Sequence, residues 1–461
     1  MIRLELDDIQ DILLGYPRFP HTRFLFLRFR AAAKSRNWLA RIAEHDITTA
    51  DRRPNGAASA LNLALTWAGF AALGATEETL ATFPEEFRSG MARRASQLGD
   101  IDVNDPRHWE PGGPGTTGLH AVVIVHAATP AHLEQRSQRV REGLVDAGEI
   151  VAEQDGKRLQ GSPRAVDPNR DTPVSREHFG FLDGISQPVI EGLRDADAAL
   201  LPGQGVRHSD GTWRPLRAGE IILGYPDEEG IPAASPTPSA LARNGTYLVY
   251  RKLRQNVAAF RRLIAEHGKH YPGGPEELAA KMVGRWPNGT PFTSPDKHRS
   301  ASDKSCHRSF TFAEDLDGRQ CPIGAHIRRA NPRDGVRSRD RLVHRHRILR
   351  RGTSYGPPLA DGALEDDGQL RGLLFVCLCA SIARQFEFIQ GQWINDGNSL
   401  GLGDDQDPLL SNSSRGTNLT IPGHRPYFLS PIPPLVTMRG GEYFFLPGRS
   451  ALTRLACPST R

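Results

Sequence analysis

The densest concentration of chemistry-bearing side chains in the sequence is HIRRANPRDGVRSRDRLVHRHRILRR, residues 326–351, with ten arginines and three histidines against two aspartates. A guanidinium stays charged at any accessible pH and presents a planar fork of donors, so such a run matches a nucleic-acid groove, a pocket for an anionic cofactor, or a solvated basic face. Charge alone leaves the three open. Interleaved Leu342, Val343, Ile348 and Leu349 require part of the run to be buried. No aromatic residue stands in it to stack on bases before Tyr355, and no nucleic-acid-binding motif surrounds it, which weakens the first reading. A second cluster is EHFGFLDGISQP, residues 177–188. Asp183 there stands between Leu182 and Gly184, so its carboxylate is either a turn former or a group held in a poorly solvated pocket. Gly180 and Gly184 let the backbone approach a bulky planar ligand closely.

The elements that must position these groups follow from hydrophobic periodicity. FLFLRFR (24–30) predicts a strand, and 31–44 predicts a helix with Trp38, Leu39 and Ile42 on one face. TYLVYR (246–251) and residues 255–266 repeat that unit, Trp38 and Phe260 following Arg28 and Arg251 by ten and nine residues. A second pair, AVVIVHA (121–127) leading into a helix from about His132 and LLFVCLC (373–379) leading into one from about Ser381, gives each half two strand–helix units. The expected fold class is α+β with duplicated ferredoxin-like domains, because long irregular loops between the units disfavour a doubly wound sheet. The expected domains are 1–215, carrying GFLDG, and 216–461, the Pro-rich piece 227–239 and the stretch before it marking the crossing. LNLALTWAGFAAL (61–73), apolar on nearly every face, predicts a deeply buried helix. Residues 271–322, rich in Gly, Pro, Ser and Lys with little periodicity, predict a long loop insertion.

Composition narrows the class. The 461 residues carry a formal charge of +5, with 38% hydrophobic and 24% charged residues, which places the chain among soluble globular proteins. Five cysteines lack CxxC spacing, so a zinc site or thioredoxin-like pair is not expected. The longest apolar runs fall far short of the ~20 residues that cross a bilayer, so no membrane partner is expected. Acidic residues stand near the start where a signal peptide needs basic ones, which makes a cytoplasmic location the expectation.

GFLDG (180–184), CPIGAHIRRANPR (321–333) and HRILRRGTSYG (346–356) resemble, in that order, motifs of the dye-decolorizing peroxidase family of haem enzymes. LNLALTWAGFAALG (61–74), FRSGMARRASQLGD (87–100), GEIILGYPDEEG (219–230) and LFVCLCASIARQFEFIQGQW (374–393) extend the resemblance over most of the chain. The family's fold, a dimeric α+β barrel of duplicated ferredoxin-like domains with haem bound mainly by the C-terminal half, agrees with the repeat. The 271–322 segment resembles the longer, cytoplasmic bacterial members. The resemblance implies one haem b per chain, hydrogen peroxide as oxidant, and bulky aromatic or dye-like donors oxidised in single-electron steps. A non-catalytic haem-handling protein on the same scaffold is the first alternative, and a basic nucleic-acid-binding protein the second.

Residue by residue, the resemblance makes His326 of GAHIRR the axial ligand of the haem iron, and small Gly324 and Ala325 leave room for a porphyrin. It makes Asp183 the distal acid and Arg350 the distal arginine, with Arg351 the neighbouring alternative. These types suit the chemistry, since a carboxylate can shuttle the peroxide proton and a guanidinium can stabilise charge on the departing oxygen. Arg329 and Arg333 are candidate propionate partners. Leu373 and Phe375, on one face of a strand, line the distal pocket in the family, although ordinary core packing requires the same residues. Asp407, beside Asp404 and Asp405, resembles the acid that accepts the other ring N–H of the axial histidine. Trp393 matches an electron-relay position, with a half-buried structural tryptophan as the alternative. His344 and His346 read as packing or hydrogen-bonding histidines.

Overall fold

Near-continuous apolar runs give the central strands two buried faces, and the computed structural model shows what each face packs against. It describes residues 2–51, 57–160, 166–167, 172–173, 175–193, 200, 202–208, 210–292, 310–336 and 340–457. The first half runs β1 (His21–Phe29), α1 (Ala32–His45), β2 (Ser59–Leu65), β3 (Ala121–Ala127), α2 (Pro130–Leu144) and β4 (Gly148–Lys157). Its strands lie antiparallel in the order β4-β1-β3-β2, a ferredoxin-like arrangement. The second half repeats it with β5 (Thr246–Gln255), α3 (Val257–His267), the short β6 (Leu349–Arg350) and β7 (Thr353–Tyr355), β8 (Gly372–Cys379), a π-helical stretch (Ile382–Glu387 and Ile389–Ile394) and β9 (Val436–Leu446). There the order is β9-β5-β8 with β6 and β7 beside β8, so the strands of the two halves correspond, β6 and β7 together taking the place of β2.

The halves join twice, each time a fourth strand against a second. β9 pairs with β2 through Phe445 and Leu65. At the other end β4 lies against β7, so closely that a Cβ on Gly156 would stand 2.4 Å from Thr353 Cγ2. The sheet therefore curls into a barrel. Alternate residues of both halves fill its interior: Phe24 and Phe26 each put their rings 5.2 Å from that of Tyr250, and Leu374, Val376 and Phe444 complete the same cluster. The opposite face, with Leu25, Leu27, Val123, Val125, Cys377 and Cys379, packs under helices.

One helix breaks the symmetry, and the site follows from it. α1 lays Trp38, Leu39 and Ile42 on the main core. Its counterpart α3 instead packs Phe260 and Leu263 against Leu278 and Met282 of α4 (Gly274–Val283) and against Leu419 and Leu429 of the hairpin formed by Thr417–Ile421 and Tyr427–Ile432. On the sheet face it vacates, Leu373 and Phe375 are half-exposed in an otherwise buried strand.

Two sequence expectations are corrected here. LNLAL at the start of 61–73 belongs to β2, and helix begins only at Trp67, where Thr66 Oγ1 accepts the N–H of Gly69 at 3.0 Å. A short apolar run buried on both faces has the same pattern as a buried helix, since Leu61, Leu63 and Leu65 serve one core and Ala60 and Ala64 the other. The segment 271–322 is not all loop. α4 has Pro275 in its first turn, Glu276 and Glu277 beside it, Lys281 in its last turn and Gly284 at φ 98° beyond its end, a full set of start and stop signals inside a Gly/Pro-rich composition. Residues 293–309 of that segment lie outside the described residues. Among the described residues no helix is long and apolar enough to cross a membrane.

A buried ion pair ties β5 to the first half. Arg251 Nη1 and Nη2 donate to Asp100 Oδ2 and Oδ1 at 3.0 and 2.6 Å, and Asn412 Nδ2 donates to Asp100 Oδ1 at 2.9 Å. The two charged side chains are 3% and 0% exposed. Removing one member leaves the other charge buried and unpaired, so Asp100→Asn is expected to cost ~3–5 kcal/mol. A urea denaturation midpoint almost unchanged from wild type would contradict this.

Candidate active site

The loop that delivers His326 is anchored by a buried arginine. Arg328 Nη1 donates to Asp315 Oδ2 at 3.0 Å and to the Cys321 carbonyl at 2.6 Å, Nη2 donates to the Asp315 carbonyl at 2.6 Å, and the Phe312 ring lies 4.4 Å away. His326 opens the short helix α5 (His326–Ala330). Its Nδ1 meets Asp407 Oδ2 at 2.8 Å, while Asp407 Oδ1 accepts the N–H groups of Leu409 and Leu410 at 2.9 and 2.8 Å. Burial opposes charge on both partners, but their mutual attraction and hydrogen bond prevail, raising the His326 pKa and lowering that of fully buried Asp407. Among the described residues His326 Nε2 makes no hydrogen bond, and the side chain is 29% exposed while its partner Asp407 is 0% exposed.

Across the cavity stands the loop 175–184. Glu177 holds it in shape: its carboxylate accepts the N–H groups of Phe179 and Phe181 at 2.8 Å each and the Gln255 side-chain amide at 2.7 Å. Gly180 turns the chain at φ 102°, and the Asp183 N–H donates to the Ser175 carbonyl at 2.9 Å. A Cβ on Gly180 or Gly184 would meet nothing within 4 Å, so the loop borders open space. Arg350 comes from β6. Opposite Cys377 in the ladder, it shares a sheet face with Leu373 and Phe375. Its Nη1 lies 3.5 Å from Asp183 Oδ1, Nη2 donates to the Ser186 carbonyl at 3.3 Å, and its backbone N–H donates to Gln187 Oε1 at 3.0 Å. Arg351 points elsewhere, donating to the carbonyls of Ile12 and Leu13. The charges of Arg350 and Glu177 both act on His326, so the loop that carries Glu177 and Asp183 lies within electrostatic reach of the imidazole. Burial pushes the Glu177 carboxyl up to about 7, the Asp183 charge adding to the push against its three hydrogen bonds.

Other expectations divide. Of the three neighbouring acids, Asp407 meets His326, whereas Asp405 Oδ2 accepts the Thr420 N–H and Asp404 is exposed. Arg329 does not face the cavity. It is fully buried, with Nε, Nη1 and Nη2 donating to the carbonyls of Trp393, Asp405 and Asp396 at 2.6, 2.6 and 2.7 Å, because one turn of α5 aims it at the 393–405 segment. Its expected propionate role is withdrawn. Arg333 does border the distal loop, its Nη2 donating to Ser186 Oγ at 3.0 Å and its Nη1 to the carbonyls of Gly203 and Phe310. Trp393 is buried, edge-on to His346 at 5.2 Å; His346 in turn stacks on Phe388 at 3.8 Å. Burial lowers both remaining histidines of the basic run, His344 to about 4. Sequence reasoning missed Glu177, whose signal is an acid two and four residues ahead of amides in a glycine turn.

The donor set fits an iron porphyrin: one imidazole nitrogen fixed by a carboxylate with the other free, an acid–arginine pair opposite, and open space above glycines. Comparison with known proteins agrees. The family model for the DyP dimeric alpha+beta barrel domain matches residues 8–160, and that for the Dyp-type peroxidase C-terminal region matches residues 232–404. The chain is 32% identical to a dye-decolorizing peroxidase of Mycena epipterygia, over 98% of this chain and 87% of that one. It is 31% identical to the multifunctional dye peroxidase DyP2 of an Amycolatopsis strain, over 98% and 96%. A solved dye-decolorizing peroxidase in complex with 2,6-dimethoxyphenol has a similar structure, with TM-score 0.80 at 27% identity over 98% of this chain and 100% of that one. With likeness of this extent in sequence and in fold, the chain belongs to the dye-decolorizing peroxidase family.

Proposed function

We propose that this protein is a haem b peroxidase, one haem per chain, in which His326 is the axial ligand and the pair Asp183 and Arg350 acts on hydrogen peroxide. The observation that carries the reading is the His326–Asp407 pair, with the Asp183–Arg350 pair near enough for the arginine charge to act on His326. When bound, the haem supplies the redox chemistry, taking up two electrons from donors and passing them to peroxide. Two protons and two electrons turn one peroxide into two waters, and each donor gives up one electron. Asp183 Oδ1 takes the proton from one peroxide oxygen and returns it to the other as that oxygen leaves as water. Arg350 Nη1, which cannot lose its charge, stabilises the negative charge that develops there. Asp407 fixes the ring orientation of His326 and raises its basicity. Leu373 and Phe375 keep the wall apolar and limit access to small molecules.

Bulky donors then react outside the cavity. A solved relative in complex with 2,6-dimethoxyphenol supports phenols as one donor class. We assign Trp393 as an internal relay. At 8% exposure it does not itself receive a dye, so electrons enter through its neighbours, the half-buried His346 and Phe388.

Two tests follow. His326→Ala is expected to lose histidine ligation and most bound haem, read from the Soret band of purified protein. Asp183→Asn and Arg350→Leu are expected to keep haem and slow the peroxide step by ~10²-fold or more in stopped-flow absorbance. Wild-type rates in both distal variants and in the double variant would remove the pair from the mechanism. Separately, Trp393→Phe is expected to lower turnover of bulky dyes while small phenols and the peroxide step stay near wild type. Undiminished dye turnover would return Trp393 to a packing role.

A further inference from the structure

Apart from the candidate active site, and sharing none of its residues, a groove of about 1070 Å³ runs along α3. α3 supplies one wall through Asn256, Ala259, Leu263 and Glu266, which recur at helical spacing. At ~1.5 Å per residue that wall is ~15 Å long, the span of two or three joined aromatic rings. Pro431, Pro433 and Pro434 supply the other wall. Proline rings carry no N–H and offer an apolar surface on which an aromatic ring packs. Seven large apolar side chains are exposed among the described residues, and three of them gather here. Val103 lines the groove, Ile101 stands two residues from it, and Leu364 is tied to its rim, the Leu364 carbonyl accepting from Arg262 Nη1 at 2.5 Å.

Charge is distributed unevenly around it. Arg254, Arg262, Arg415 and Arg439 line the groove with a single carboxylate, Glu266. The acids nearest these arginines leave donors available. Arg254 gives one bond to Asp366, at 3.3 Å. Glu365 and Glu110 stand 3.7 and 3.8 Å from Arg262 and Arg439, beyond hydrogen-bond range, and Glu110 is engaged by Lys252. Solvent-exposed pairs of this kind contribute little, so a bound anion displaces them at small cost. Arg439 Nε is enclosed without an acceptor. Exposed Arg415 makes no hydrogen bond or ion pair among the described residues. An apolar bed with a cationic rim selects a ligand that is flat and apolar in its body and anionic at its edge. We propose that this groove is a binding site for aromatic anions of two or three rings, the rings lying on the prolines and the anionic group meeting the arginines of the rim.

The claim is one of binding and does not depend on the haem reading. The probes are 1-anilinonaphthalene-8-sulfonate and its uncharged analogue N-phenyl-1-naphthylamine, measured by equilibrium dialysis against haem-loaded protein so that the haem cavity is filled. Wild type is expected to bind one sulfonate per chain, ~10-fold or more tighter than the neutral probe. Arg415→Glu is expected to weaken the sulfonate ~10-fold and the neutral probe less than ~2-fold. Arg139→Glu, the same change of charge on the exposed side of α2, is expected to leave both affinities unchanged. Val103→Asn is expected to weaken both probes ~3-fold by removing apolar contact. All three positions are exposed, so the variants keep the fold. Equal sulfonate affinity in Arg415→Glu and Arg139→Glu overturns the proposal, as do equal affinities for the two probes in wild type or no saturable binding below ~1 mM. Binding seen only in haem-free protein and abolished by haem assigns the probe to the haem cavity and overturns the proposal as well.

Discussion

Asp407 is a fully buried carboxylate, and its charge is tolerable there because three N–H groups converge on it: His326 Nδ1 and the backbone of Leu409 and Leu410. Its own N–H donates to the Ile394 carbonyl at 3.0 Å. That contact draws the end of the π-helical stretch, the 394–407 segment and α5 together around one point. Arg329 reinforces the same junction by holding the carbonyls of Trp393, Asp396 and Asp405. The direction of His326 Nε2 is therefore set by elements from three parts of the C-terminal half.

The cavity those elements face is a product of duplication followed by displacement. In the first half, α1 covers its sheet with Trp38, Leu39 and Ile42. In the second, α3 joins α4 and the 417–432 hairpin to form a separate apolar cluster. Burial that one half directs onto its sheet is directed elsewhere in the other, and the freed face carries Arg350, Leu373 and Phe375. The barrel interior, filled by rings from both halves, holds that face rigid.

Strands were legible because short runs of β-branched, aromatic and aliphatic residues such as AVVIVHA are each followed by a helical pattern, and the repeat of strand–helix units foreshadowed the fold. The pattern failed at 61–65, where a Leu- and Ala-rich strand runs unbroken into the apolar helix that begins at Trp67, and at 274–283, where helix start and stop signals were concealed by loop-like composition. Within the site, residue types pointed to His326, Asp183 and Arg350 through the family resemblance. Direction was not legible. Arg329, expected as a propionate partner, instead binds the carbonyls of Trp393, Asp405 and Asp396. A run of ten arginines gives no sign of which are buried, as Arg328, Arg329 and Arg333 are. Three acids within four residues likewise look equivalent until the chain folds.

The central claim is that Asp407 controls His326 as an axial ligand, and the iron–histidine stretching frequency of the reduced, haem-loaded protein tests it most directly. In resonance Raman spectra, Asp407→Asn is expected to lower that frequency, because an amide accepts the Nδ1 proton more weakly than a carboxylate and leaves the imidazole a poorer donor. An unchanged frequency in a folded variant with bound haem would mean that the 2.8 Å contact does not govern the ligand, contradicting the account.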